Sequence, residues 1–440
     1  MSPSLLWLRR DLRRADHPAL AEASAAGPVA PLFVVDPVLW ASSGVPRRAW
    51  VAATVLALRE DWGGALGVRL GKAGDVVPQV AAEIGATAVH VTGETTPYGT
   101  ARDAVVRSRL EVPWIETGSA YAVTPGRVGR SDGSAYRVFG AFARAWFEHG
   151  WPSPAESGPA KVLEVGSDPA ALDLLHRAAT EVTLPAAGEA SAWRRWAEVL
   201  PRLEEYADQR DRPDLDGTSM LSPHLKVGSI HPRSLLADLD LSNHGHRVFA
   251  TELAWREFYA DLLHRAPTSA WADLRPLSMQ HDDSPDARDL WQRGHTGYPI
   301  VDAGMRQLAE TGWMHNRVRM ITASFFCKDL HEWWPRGARW FLNQLIDGDV
   351  ASNSHGWQWT AGTGTDAAPY FRIFNPVLQG KRFDPHGDYV RRWVPELAHL
   401  SGATVHEPWR SPDGYAHGYP QRMVDHAAER AESLRRYRGE

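Results

Sequence analysis

Short continuous apolar runs alternate with helical periodicities through the first third of this 440-residue chain. The runs LLWL (5–8), VAPLFVVD (29–36), VRLGK (68–72), AVHVTG (88–93) and PWIETG (113–118) read as strands. Unbroken apolar character suits strands covered on both faces of a parallel sheet. Between them, 47–62, 76–84 and 101–110 repeat apolar positions every three to four residues and predict helices. Around 150–190 the chain turns rich in Pro, Gly, Ala and Ser, as a linker would. Beyond it the helical period dominates, at 247–266, 299–312, 316–334 and 337–346. The expected organisation is an α/β N-terminal domain with a parallel, Rossmann-like sheet (1–125), a linker (126–190) and an all-α C-terminal domain (191–440). No GxGxxG follows the first strand, so dinucleotide binding at that place is not supported.

Composition refines this picture. Hydrophobic residues at 43% and charged residues at 23% are those of an ordinary globular protein. The single cysteine, Cys327, excludes a disulfide framework and fits a reducing, cytoplasmic setting. The N-terminal apolar stretch is too short for a signal-peptide core, and no stretch reaches the roughly 18 apolar residues of a membrane span. The net charge of −5 advertises no global basic field. Only five of the 48 Lys and Arg are lysines, and there are 20 tryptophans. Arginine suits bidentate phosphate contacts, while so many indoles exceed what core packing requires.

Taken singly, the candidate motifs are open. HEWWP (331–335) begins like a zinc-protease helix, but Pro335 stands where the second His is needed. His244 and His246 flank a glycine in an Asn-rich loop that gives little support to a metal, and no metal is expected. In DGTSMLSPHLKVGSIHP (216–232), the hydroxyls of Thr218, Ser219 and Ser222 serve either a phosphate or a helix N-cap. In TELAWREFY, helical spacing puts Glu252, Trp255, Arg256 and Tyr259 on one face, either a pocket wall or a surface ion pair beside a half-buried indole. Arg317 and Arg319 face different directions; Asp347 and Asp349 lack the further ligands of a calcium loop, and an Asp paired with Arg319 is the plainer reading. Together, the hydroxyls, acids, arginines and indoles suit a large planar cofactor and a nucleic acid with stacked bases.

The stretches WLRRDLRRADHPAL, GTSMLSPHLKVGSI, ELAWREFY, TGYPIVDAGMRQLAETGWMHNRVRM, LIDGDVASNSHGWQW and GTDAAPYFRIFNP carry a resemblance over essentially the whole chain. The sequence resembles the photolyase and cryptochrome family, and within it the class I cyclobutane pyrimidine dimer photolyases. The resemblance implies a helical domain holding FAD, active as FADH⁻, and light-driven electron transfer to a pyrimidine dimer in UV-damaged DNA. Tyr206 and the run Thr218, Ser219, Met220, Leu221 and Ser222 would meet the FAD phosphates. Phe249, Glu252, Arg256, Trp313, Arg319, Asp347, Asp349 and Asn353 would complete the cofactor set, with Asn353 facing flavin N5. Trp255 and Trp359 would wall the flipped-out dimer, Glu252 and Asn316 would hydrogen-bond its carbonyls, and Met320 would close the pocket. Arg210, Arg317 and Arg372 would hold the flanking phosphates. Asn316 and Met320 would also set the substrate class, since relatives that repair (6-4) photoproducts carry histidines in that helix and this sequence does not.

An antenna chromophore is also implied. ETTPYGTARD lacks the glutamate of folate-binding relatives and is similar to a deazaflavin-binding pattern, with Asp36, Arg47, Glu94, Arg102 and Lys226 as candidate contacts. The antenna expected is 8-hydroxy-5-deazaflavin, ahead of FMN or folate. Trp357 matches the first and Trp334 the second tryptophan of the family's electron chain. The third position is His281, so the electron chain is expected to end at Trp334 or to leave through Trp333, Trp340 or Trp271. In NSHGWQW (353–359), two indoles stand two apart in a segment that reads as a polar, glycine-rich loop, and His355 has no role. A monomer that binds no membrane is expected. The alternative to repair is a cryptochrome-type blue-light photoreceptor; RRYRGE at the chain's end, without a long polar tail, and Asn353, Trp359 and Met320 favour repair.

Overall fold

The computed structural model describes residues 2–156, 161–366 and 372–438. Five parallel strands form one sheet: β1 (Ser4–Leu8), β2 (Val29–Val35), β3 (Gly67–Leu70), β4 (Val89–Gly93) and β5 (Trp114–Ser119), in the order β3-β2-β1-β4-β5. Every residue of β1 and β2 is buried, as unbroken apolar runs require of strands covered on both faces. The helices Val45–Asp61, Ala73–Glu83 and Pro97–Arg109 lie where the period placed them. In a sheet of this order the strand connections diverge on either side of β1 and β4, and ligands in such sheets bind beyond the strands' C-terminal ends there.

The chain divides into two compact units that interleave along the sequence. The sheet unit comprises residues 1–204, 219–267 and 346–349, and the helical unit 205–218, 268–345 and 350–440. Among its described residues the helical unit has helices and one isolated bridge, Asp282 with Glu332, and no strand. Its core is aromatic: Trp291, Phe325, Phe326, Trp334, Phe341 and Trp357 belong to one buried cluster. The stretch 126–190 carries the helices Phe139–His149 and Pro169–Ala179, each with a buried face.

Three local expectations are overturned. The stretch 316–334 is not one helix. An α-helix over Asn316–Ser324 passes into a π-turn over Phe325–Asp329, and His331 takes a left-handed φ of 52°. A new helix, Trp334–Gln344, then starts with Pro335 in its first turn, where the missing N–H is no loss. The segment NSHGWQW is not a loop: it lies inside the helix Val350–Ala361. The polar residues that suggested a loop are buried with partners. His355, 2% exposed, bonds through Nδ1 to the Ala351 carbonyl at 2.7 Å and through Nε2 to Ser269 Oγ at 3.1 Å. Gln358 donates to the Ser269 carbonyl and accepts from the Leu274 N–H. Nor are His244 and His246 in a loop; they open the helix His244–Arg265, whose cap Asn243 accepts from the Gly245 and His246 N–H groups.

Candidate functional site

In the sheet unit the segment after residue 218 is shaped by its glycine and its strain. Met220 has a positive φ of 55°, uncommon for a side chain of its size. The Ser219 carbonyl accepts from Arg195 Nε at 2.9 Å. The helix Ser222–Val227 starts at Leu221, so neither Ser219 nor Ser222 is its N-cap residue; the Ser219 hydroxyl instead accepts from the Leu221 N–H at 3.3 Å. It ends at Gly228 in the left-handed conformation, where a Cβ would lie 2.0 Å from the Arg10 carbonyl oxygen. Only glycine lets this segment rest on the backbone that leaves β1.

A charge cluster forms beside it. Asp349 pairs with Arg10 at 3.1 Å and with Lys226 at 3.0 Å, and Arg10 reaches Glu94 at 3.5 Å. Ser222 Oγ donates to Asp347 at 2.7 Å. Burial pushes the Asp349 carboxyl up, but Lys226, Arg10 and Arg256 outweigh it and hold it well below the carboxylate range. Burial pulls the Lys226 ammonium down to about 8 against the opposing pull of Asp349. Arg47 is also pulled down by burial, with Asp347 and Asp349 holding against it. Of the antenna candidates, Glu94, Lys226 and Arg47 therefore share one field with the flavin candidates Asp347 and Asp349. The other two have local partners: Asp36 accepts from the Tyr98 hydroxyl at 2.7 Å, while Arg102 pairs with Asp103 at 2.8 Å and lies 4.9 Å over Trp7.

On the helix His244–Arg265, Glu252, Trp255, Arg256 and Tyr259 are all half-buried, a shared face as the spacing predicted. Trp255 stacks on Phe139 with a 9° interplanar angle, so one indole face is already taken. Arg256 donates to the Ala120 and Leu225 carbonyls and lies 4.4 Å over Tyr121. Phe249 is buried and stacked on Trp196.

In the helical unit, Trp357 and Trp359 are separated by roughly 200° around their helix. Trp357 is 3% exposed, packed edge-on against Phe326 and Phe341. Asn353, Gly356 and Trp359 form the half-buried stripe. Asn353 Nδ2 donates to the Ala338 carbonyl at 3.0 Å, and the Arg372 guanidinium lies 6.0 Å from the Trp359 ring. Trp334 is buried, and its indole N–H donates to Asp273 at 2.7 Å. Asn316 is exposed, one helical turn from half-buried Met320. Arg317 between them is paired with Asp211 at 2.7 Å. Arg319 Nε donates to the Met314 carbonyl at 2.7 Å and its guanidinium lies 6.0 Å from Trp313. Tyr206 opens the short helix Tyr206–Gln209, with the Arg210 guanidinium 5.9 Å from its ring.

Two family models match, one for the FAD-binding domain of DNA photolyase over residues 249–439 and one for DNA photolyase over residues 4–160. A deoxyribodipyrimidine photo-lyase of Vibrio cholerae is 38% identical, with 99% of each chain covered. The chain belongs to the DNA photolyase family. Two solved structures share its fold. A class III photolyase from Agrobacterium tumefaciens superposes with a TM-score of 0.89 at 34% identity, covering 100% of this chain and 98% of the other. A cryptochrome from Synechocystis gives the same TM-score at 27% identity, covering 99% of each.

For a photolyase-family chain, several polar residues beyond the expected ones are placed deliberately. Glu257, 2% exposed, accepts from the Ala122 and Val123 N–H groups at 2.6 and 3.0 Å and from the Trp146 indole at 2.6 Å. Burial raises its carboxyl to about 7 against those donors. An acid directly before Phe258 on the buried side of a helix was its only sequence signal. Arg10 and Asp273 gave none, because their partners lie far away in sequence.

Proposed function

We propose that this photolyase-family chain repairs cyclobutane pyrimidine dimers in DNA, as a deoxyribodipyrimidine photo-lyase driven by blue light. The observation that carries the reading is the near-full-length likeness to a curated deoxyribodipyrimidine photo-lyase. When bound and reduced, FAD supplies one electron to the dimer under light and recovers it after the ring splits. The residues fit such a group. The turn at 218–222 carries three hydroxyls, Ser222 donating to Asp347 until a diphosphate takes its place, and its strained Met220 is the kind of cost a binding turn carries. Tyr206, Thr218, Ser219, Met220, Leu221 and Ser222 would bind the phosphates; Phe249, Glu252, Arg256, Trp313, Arg319, Asp347, Asp349 and Asn353 would hold the remainder. The Asn353 amide is neutral, so it can orient the ring without adding charge.

Trp255 and Trp359 would stack on the lesion, each half-buried with ring surface to offer. Glu252 and Asn316 would hydrogen-bond the pyrimidine carbonyls beside Met320. Arg210, Arg317 and Arg372 would meet the flanking phosphates, with Arg317 exchanging Asp211 for a stronger anion. We infer an 8-hydroxy-5-deazaflavin antenna at the C-terminal ends of the strands, near Asp36, Arg47, Glu94, Arg102 and Lys226. The buried Lys226 ammonium is the group that would favour an anionic ring.

The test is a dimer-containing oligothymidine incubated with the purified protein under blue light and in the dark. Repair in light alone is expected. Tight binding without repair would sink the reading. Acid extraction of the bound chromophores checks the antenna: a deazaflavin beside FAD is expected, and folate, FMN or a second FAD would overturn that part.

A further inference from the structure

Among the described residues, indole N–H groups donate to carboxylates from Trp146 to Glu257, from Trp196 to Asp238 and from Trp334 to Asp273. Only the third lies in line with Trp357. Gly337 stands three residues after Trp334, on the same helical face. A Cβ there would lie 2.3 Å from Cη2 of the Trp357 ring, so this face of the helix packs directly on that indole. Trp196 instead stacks on Phe249, a ring harder to oxidise than indole. Trp146 is sealed, because Glu257 is saturated by backbone donors and has no outlet.

We propose that Asp273 is the proton acceptor that stabilises oxidised Trp334, and so takes over the task of the tryptophan that position 281 lacks. The inference rests on the flavin-photoreduction reading above. An electron leaves Trp334 for the hole on Trp357. Losing it makes the Trp334 N–H strongly acidic, and its proton passes along the existing 2.7 Å hydrogen bond from Nε1 to Asp273 Oδ1. A neutral indolyl radical and a protonated carboxyl remain. With its positive charge gone, Trp334 recombines slowly. A thiol in solution then returns one electron to Trp334, a proton restores its N–H, and Asp273 releases its own proton.

The surroundings offer that proton a way out. Asp273 is half-buried and His281 exposed, and each lies within the other's field. Burial lowers the His281 imidazolium, so the ring is neutral and able to accept at neutral pH. Cys327 and Tyr437 also lie in the field of Asp273, both pushed up by burial and therefore already protonated. Arg336 and Arg436 act on His281 and disfavour long retention of the proton there.

The experiment is flash excitation of the holoenzyme carrying oxidised FAD, in water and in D2O, with tryptophan cation and neutral radicals followed by their absorption. Wild type is expected to form the neutral radical with a solvent isotope effect. Asp273→Asn, which keeps the shape and an oxygen acceptor, should hold the radical as a cation and speed its recombination at least tenfold. Asp273→Glu should restore deprotonation, which a merely structural role would not. Unchanged radical protonation in Asp273→Asn, or the same long-lived radical in Trp334→Phe, overturns the inference. A visible spectrum without flavin, and no radical in any variant, overturns the reading beneath it instead.

Discussion

Trp146 in the sheet unit and Trp334 in the helical unit make nearly the same hydrogen bond, at 2.6 Å to Glu257 and 2.7 Å to Asp273. Their surroundings differ in every other respect. Glu257 is buried and takes two backbone N–H groups besides the indole, so it ties the segment at Ala122 and Val123 to the helix His244–Arg265. Asp273 is half-buried, beside an exposed histidine. A hydrogen bond alone therefore does not assign a role; what decides is whether a proton arriving at the acceptor has anywhere to go. A saturated carboxylate stabilises the fold, and one with an outlet can take part in chemistry.

The contrast can be broken or sharpened at several points. The largest effect is expected at a third carboxylate, Asp349, which is saturated by cations instead of N–H groups. Asp349→Asn leaves Arg10 and Lys226 without their shared anion and should cost about 3–5 kcal/mol in denaturant unfolding. Next, Glu257→Gln keeps one oxygen but turns an amide NH2 toward at least one of the three donors and should cost about 2–4 kcal/mol, whereas Asp273→Asn should cost less than about 1 kcal/mol. Equal losses would erase the distinction.

The same pair makes a pH prediction. The folded protein holds Glu257 at about 7, above its ordinary 4.5, so the fold favours the protonated acid. Its contribution to stability is full below pH 4.5 and is lost as pH rises through about 7. Urea midpoints measured at intervals from pH 4.5 to 7.5 should show this decline in wild type and not in Glu257→Gln. For light-driven flavin reduction with a thiol donor, Trp334→Phe should slow the reaction at least tenfold and Trp146→Phe by less than twofold. A matching loss at Trp146 would place that indole on the electron route. A modest effect is expected at Gly337→Ala: displacing the Trp357 ring costs more than the helix gains, a net of about 1 kcal/mol by thermal unfolding.

The sequence made the sheet legible because β2 throughout and β1 after Ser4 are apolar, so strand and burial coincide. The helix Val350–Ala361 was not legible. Ser354, His355, Gln358 and Thr360 are buried there, and hydropathy reads buried polar groups as surface. Their partners at Ser269 and Leu274 belong to a segment more than 80 residues earlier. The break at His331 was hidden in the same way, by Lys328 and Asp329 buried in the π-turn before it. The family's motifs marked Trp334 and Trp357 as a pair. Asp273 could be found only from the fold, because its hydrogen bond spans 61 residues and no motif surrounds it.

The interleaving of the two units limits how this protein can be dissected. A fragment ending at residue 204 would look like a complete α/β domain on paper. It would lack residues 219–267 and 346–349, and with them Lys226, Glu257 and Asp349. Arg10 would keep Glu94 but lose Asp349, its nearer anion, and the backbone at Ala122 and Val123 would lose its acceptor. Ligand binding measured on such a piece would report on a damaged fold, so the roles of the two units have to be separated by point substitution, not by scissors.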